Sequence, residues 1–208
     1  MTSELILTPR VDLWVAKSFA AAVRPGRSGH LGGSGPPQEG GRTAYPGRVS
    51  ETETRALAAL DALGVAYAVT RHGRVGSLAE AAAPRGVEPG DIVKTLVVRR
   101  AEDDYLFVLV PGDREFSWPK LRALLGTSRL SMPDAAGAYA VTGYERGTIT
   151  PFGAQVAWPV VVDASLAAVP GRRVSMGSGA QGVAVTLSAQ EMIAALGAQV
   201  ADVADSPG

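Results

Sequence analysis

No cysteine occurs among the 208 residues, so the chain has no disulfide framework, no thiolate nucleophile and no cysteine zinc site. Histidine is nearly as scarce: His30 and His72 are too few for an imidazole cage, and no metal is expected. Aromatic side chains make up 6% of the sequence, and lysine occurs three times. No stretch approaches the roughly 18 apolar residues of a membrane-crossing helix. The first residues also lack the basic-then-apolar layout of a secretory leader, so a cytoplasmic location is expected. Neither a Gly-x-Gly-x-x-Gly turn after the first expected strand nor a Walker loop is present, which argues against a doubly wound nucleotide fold. No cofactor is expected.

A hydrophobic fraction of 46% is ample for one sizeable core. The formal net charge is zero, but residues 1–48 hold six basic and three acidic side chains, leaving 14 basic against 17 acidic in residues 49–208. A mildly acidic folded part disfavours broad binding along a phosphate backbone and still allows contact with a nucleic-acid end. From Arg24 to Arg48 the chain is dense in glycine, proline and serine and nearly free of aliphatic residues, so it cannot offset the entropy of folding. Residues 1–48 are read as a disordered or weakly helical extension, of the kind an early start assignment also produces. Residues 49–208 are read as the functional domain.

In that domain the patterning is regular. Ser50-Glu51-Thr52-Glu53 resembles a capping box ahead of Leu57, Leu60 and Leu63, and Gly64 closes the helix. A strand is expected at Val65 to Thr70, a helix from Ser77 through Ala83, then the strand carrying Lys94, paired with Tyr105 to Val110. Pro119 opens a helix from Trp118 to Leu125. Pro133, Asp134 and the small residues Ala135 to Gly137 read as the close of another. Strands at Val160 to Asp163, Arg173 to Met176 and Val183 to Leu187 follow, then a helix from Ala189 to Leu196 and a strand from Gln199 to Val203. This irregular mixture implies an α+β fold with a mixed, partly closed β-sheet or barrel and flanking helices.

Three features carry chemistry. Lys94 interrupts the apolar run Asp91 to Val98 on the face of Ile92, Leu96 and Val98. Read locally, its ammonium either meets an anion in a sheltered cleft or blunts an edge strand by reaching water. Gly147 and Pro151 punctuate the loop Gly143 to Gly153, and Gly177-Ser178-Gly179 forms a later turn.

The order and spacing of these segments resemble the YbaK/ProX group of aminoacyl-tRNA deacylases, which includes the editing domain inserted in bacterial prolyl-tRNA synthetases. The likeness covers about Ser50 to Val203. It implies that Lys94 is the central catalytic residue, holding the terminal adenosine of the charged tRNA. It also implies that Gly147 to Pro151 is the loop whose backbone approaches the aminoacyl ester. Thr95, Thr148, Ile149, Thr150, Ser178 and Gly179 are then expected to line the substrate site. His72 reads either as a site residue or as a turn histidine, and Tyr67 as facing the pocket or the core. The turn after Gly182 departs from the family, where some members carry a carboxylate near Ala184, so specificity does not transfer. The resemblance implies hydrolysis of mischarged tRNA, with Cys- or Ala-tRNA(Pro) as substrate and prolyl-tRNA synthetase as a candidate partner. The rival reading is a non-catalytic module of the same fold that binds a tRNA end or a synthetase.

Overall fold

The computed structural model describes residues 49–73 and 75–206, so the expected N-terminal extension lies outside the described residues. Helix α1 (Glu51–Ala62) begins where Ser50 Oγ accepts from Glu53 N and buries Ala56 and Leu60. Strand β1 (Tyr67–Arg71) returns along it, and Arg71 pairs with the buried Glu53 carboxylate at 2.5 Å. Ser77 caps the short α2 (Leu78–Ala82), which tightens into a 3-10 turn at Ala83–Arg85 before Gly86 in the left-handed region. Pro84 accounts for the tightening, since it withholds a backbone donor. A second 3-10 turn, Pro89–Asp91, leads into β2 (Val93–Ala101) and β3 (Asp104–Pro111).

Next come β4 (Glu115–Phe116), α3 (Trp118–Leu125), α4 (Ala135–Thr142) and β5 (Val160–Asp163). The chain closes with α5 (Ala164–Ala167), β6 (Arg173–Gly177), β7 (Val183–Ser188), α6 (Ala189–Ala195), β8 (Gln199–Ala201) and β9 (Ala204–Asp205). Two expectations are corrected here. Ala135 to Gly137 open a helix instead of ending one, because Asp134 accepts from Gly137 N and serves as its N-cap. The last strand divides at Val203, whose N–H turns away from any ladder to the Asp163 carboxylate.

The strands form three sheets in the orders β1-β7-β6, β2-β3-β5-β8 and β4-β9. The first is antiparallel; in the second β2–β3 is antiparallel, while β3–β5 and β5–β8 are parallel. A single parallel bridge, Ile92–Ser175, joins them at the β2 and β6 edges. No pairing between β1 and β8 is present among the described residues, so the expected partial barrel is instead a set of separate open sheets. The α+β class itself stands.

Strand β3 separates two cores, which is why Tyr105 to Val110 reads as an unbroken apolar run. Tyr105, Phe107 and Leu109 meet Leu60, Val162, Met176, Leu187 and Met192 on one side; Leu106, Val108 and Val110 meet Val98, Leu121 and Val203 on the other. A smaller cluster of Ala81, Ala82 and Ile92 seats α2 against the start of β2.

Asp163 ties the C-terminal strands to this frame. Its buried carboxylate accepts from Ser165 N at 3.0 Å, Val203 N at 3.0 Å and Ala204 N at 2.9 Å, and also from Ser165 Oγ. Asp163→Asn would turn an amide donor toward backbone donors, and we expect urea unfolding to show a loss of about 2–4 kcal/mol.

Candidate active site

The site is built where β2 and β6 part. Past the Ile92–Ser175 bridge β2 begins at Val93 and β6 runs on through Met176 to Gly177, with Val93 and Met176 both in the first core. Lys94 is half-buried, on the face of Leu96 and Val98 as the strand period predicts. Its Nζ donates to the Arg114 carbonyl at 2.5 Å, and none of the ion pairs among the described residues includes it. A neutral carbonyl orients the ammonium and leaves its charge uncompensated.

Opposite stands the loop Gly143 to Gly153, clamped from beneath. Tyr144 is fully buried and its hydroxyl donates to the Phe152 carbonyl at 2.8 Å. Burial pushes the phenol pKa up while the adjacent Arg55 draws it down, and the net rise keeps the phenol a donor. Arg55 lies 4.5 Å over the Tyr144 ring and donates to the Gly143 carbonyl at 2.9 Å. Thr148 turns inward, both its N–H and its hydroxyl donating to the Glu145 carbonyl, so it stiffens the loop. Buried Thr150 accepts weakly from Phe152 N at 3.4 Å, while Ile149 and Pro151 are half-buried and Gly147 is exposed with φ 90°.

Glycines let the third segment close on this loop. A Cβ on Gly177 would stand 3.0 Å from the Thr148 carbonyl oxygen; one on Gly179 would meet Thr52 O and Tyr144 at 2.6 Å, and Gly179 N donates to Thr148 O at 3.0 Å. The Gly147–Pro151 loop and the Ser178–Gly179 turn therefore converge, close to the edge where β6 is bridged to the start of the Lys94 strand. The hydroxyls of Thr95 and Ser178 are buried without a hydrogen-bond partner. So are those of Ser175 and Thr186, which face each other across β6 and β7. A buried hydroxyl without a partner costs about 1–3 kcal/mol. Ser175 and Thr186 were not legible as site residues; the only signal was a hydroxyl within runs of Val, Met and Leu.

His72 lies at the end of β1, its N–H donating to Gly182 O at 2.8 Å. Its Nε2 is 2.9 Å from Arg85 Nη2, and its Nδ1 is 2.8 Å from Gly73 O. A guanidinium only donates, so Nε2 accepts and the proton sits on Nδ1, fixing a neutral imidazole. Tyr67 is not brought to this junction: its hydroxyl donates to Asp61 at 2.9 Å on α1, and its ring packs against the first core. A surface groove of about 970 Å³, lined in part by Gly90, Asp91, Asp113 and Arg172, contains none of the expected site residues. There Arg172 is held by Asp91 at 2.7 Å.

A family model described as an aminoacyl-tRNA editing domain matches residues 72–195, from His72 to the end of α6. The chain is 41% identical to the proline-tRNA ligase of Thermosipho africanus over 63 residues, 30% of this chain and 11% of that one. It spans about a tenth of the length of this relative and of a second proline-tRNA ligase, from Thermosipho melanesiensis. It is 25% identical over 118 residues to EbsC of Enterococcus faecalis, provisionally named a Cys-tRNA(Pro)/Cys-tRNA(Cys) deacylase, covering 57% of this chain and 71% of that one. A crystal structure provisionally assigned as a trans-editing enzyme for prolyl tRNA synthetase superposes with a TM-score of 0.68 at 26% identity, covering 76% of this chain and 100% of the other.

Two glycines of the junction differ in what surrounds them, and the difference is measurable. At Gly147 a Cβ enters nearly open space, so Gly147→Ala is expected to cost only the left-handed backbone penalty of about 1–2 kcal/mol. At Gly179 the same penalty is joined by collision with Thr52 and Tyr144, and Gly179→Ala is expected to destabilise by about 3–5 kcal/mol in denaturant melts.

Proposed function

The chain belongs to the aminoacyl-tRNA editing-domain family, and from that premise we propose that it hydrolyses the ester joining a wrong amino acid to the 3′ end of a tRNA. The preferred substrates in this reading are Cys- and Ala-tRNA(Pro). The observation that carries it is Lys94, a half-buried ammonium oriented by the Arg114 carbonyl, with no carboxylate partner among the described residues. A fixed, uncompensated positive charge in a crevice is suited to the phosphate or sugar of a terminal nucleotide.

In the proposed mechanism Lys94 holds the terminal adenosine while the Gly147–Pro151 backbone orients the ester carbonyl. The exposed, left-handed Gly147 admits the close approach, and the clamp of Tyr144 and Arg55 keeps the loop rigid. Thr95, Ser178 and Gly179 bound the crevice, and Thr148, Ile149 and Thr150 contribute through their backbone. The vicinal ribose hydroxyl helps activate water, which adds to the carbonyl carbon. The bond to the ribose oxygen then breaks and that oxygen takes the proton, releasing free amino acid and intact tRNA. The protein supplies position and electrostatics, and its only histidine among the described residues keeps Nε2 engaged with Arg85.

Small residues at the bridged edge of β6 support a small acyl group. Gly177 at the end of β6, buried Ser175 before it and buried Ala184 opposite it leave little side-chain bulk there. Such a pocket accepts Ala or Cys and excludes larger groups, acting as a second sieve. The names of the proline-tRNA ligases and of EbsC support tRNA(Pro) as the carrier, with a prolyl-tRNA synthetase as partner in delivering it. The mildly acidic folded part fits an enzyme that grips only the end of its RNA.

The test is a time course on tRNA(Pro) charged separately with Cys, Ala and Pro. The protein is expected to release Cys or Ala and spare Pro, and Lys94→Ala to slow release by roughly 100-fold or more. No release by wild type, with RNA binding retained, would make this a non-catalytic tRNA-end module; full activity in Lys94→Ala would move the site elsewhere.

A further inference from the structure

We propose that Arg85, held by His72, is a second phosphate-binding residue of this site, taking a backbone phosphate of the RNA 3′ end upstream of the group that Lys94 holds. The inference rests on the editing reading above and extends it to a residue outside the motifs that suggested that reading.

Arg85 ends the 3-10 turn after α2, fixed between Pro84 and the left-handed Gly86. Its side chain is half-buried, its Nε is buried without a partner, and none of the ion pairs among the described residues includes it. Burial alone pulls its pKa down, with no neighbouring carboxylate pulling it back up. A desolvated guanidinium without a counter-charge is a standing cost, and folds ordinarily relieve it with Asp or Glu. Here its side-chain partner is the neutral imidazole of His72, which accepts one of five available N–H donors and steers the fork without neutralising it. A planar fork with spare donors and an uncompensated charge matches a phosphate in bidentate geometry.

The placement selects the RNA end as the source of that phosphate. Helix α2, which leads directly into the Arg85 turn, packs Ala81 and Ala82 on Ile92, two residues before Lys94. On the other side His72 is hydrogen-bonded to Gly182, in the turn that carries Ser178 and Gly179, and Gln181 of that turn reaches Arg146 O at 3.4 Å. Arg85 and Lys94 thus approach one junction from two elements. Neither cation has an acidic partner among the described residues, the domain is otherwise mildly acidic, and a polyanion entering the site meets both.

The test uses the full chain and a fluorescein-labelled RNA microhelix ending in CCA, uncharged, with affinity read by anisotropy across a salt series. Arg85→Gln is expected to raise Kd roughly tenfold or more. It should also flatten the salt dependence by about 0.7 in the log–log slope, the signature of one lost contact on a single strand. Arg85→Lys, which keeps the charge and loses the fork, should recover the slope and only part of the affinity. A neutral methylphosphonate at one of the last three linkages should weaken wild type by the same factor and leave Arg85→Gln indifferent at that linkage. Wild-type affinity and slope in Arg85→Gln would overturn the proposal. So would methylphosphonate effects equal in both proteins, which would mean that Arg85 serves a free phosphate or none. Deacylation run in parallel separates the two readings: an inactive wild type that still shows the Arg85 dependence sinks editing alone. An active wild type whose Arg85→Gln form keeps both KM and kcat sinks the phosphate site alone.

Discussion

One parallel bridge, Ile92–Ser175, joins the two larger sheets, and the candidate site is arranged around it. Val93 and Met176, next to the bridge on either strand, are both buried in the first core, so the junction is held by the contacts that hold the domain together. Lys94 follows on β2, half-buried, and Gly177 ends β6. A side chain at 177 would press on the Thr148 carbonyl, whose oxygen lies 3.0 Å from where its Cβ would stand. The lysine, lacking a carboxylate, is oriented by a main-chain oxygen, which fixes direction without cancelling charge. Stability and function thus share one piece of geometry, and the hydroxyls left unpartnered there belong to the same bargain.

How much of this could be read in advance varied with how local the signal was. Helix α3 and strand β5 fall at their expected bounds: one is framed by Ser117, Pro119 and Gly126, the other is an unbroken Val run ending at Asp163. Helix α4 was misread because its alanines and glycine carry no apolar stripe, leaving Asp134 as the only cue, and that cue marks a beginning. Strands β4 and β9 are two residues each, too short for any period, and exist because they pair with each other. Helix α5 is hidden because the residue that ends β5, Asp163, is also its cap. Separate open sheets were out of reach, since whether β1 meets β8 is a matter of long-range curvature.

In the candidate site the same rule holds. Lys94 was conspicuous as a charge inside an apolar strand, and Gly147, Pro151 and Gly179 as punctuation. Arg85 was invisible, because what distinguishes it is a histidine partner and the lack of an acidic one among the described residues, a property of space and not of sequence. The inward turn of Thr148 and the engagement of Tyr67 with Asp61 depend likewise on neighbours that no spacing announces.

The support of Lys94 reaches far along the chain. Its carbonyl acceptor, Arg114 O, directly precedes β4; β4 pairs with β9; and the start of β9 is pinned by the Asp163 carboxylate, while Lys120 on α3 grips Asp202 and Asp205. The side chain of Lys94 is therefore braced through a strand far from it in the sequence. A chain clipped short of Ala204 would keep Lys94, Gly147 and Pro151 in its sequence and lose the β4–β9 pair that stands behind the Lys94 acceptor.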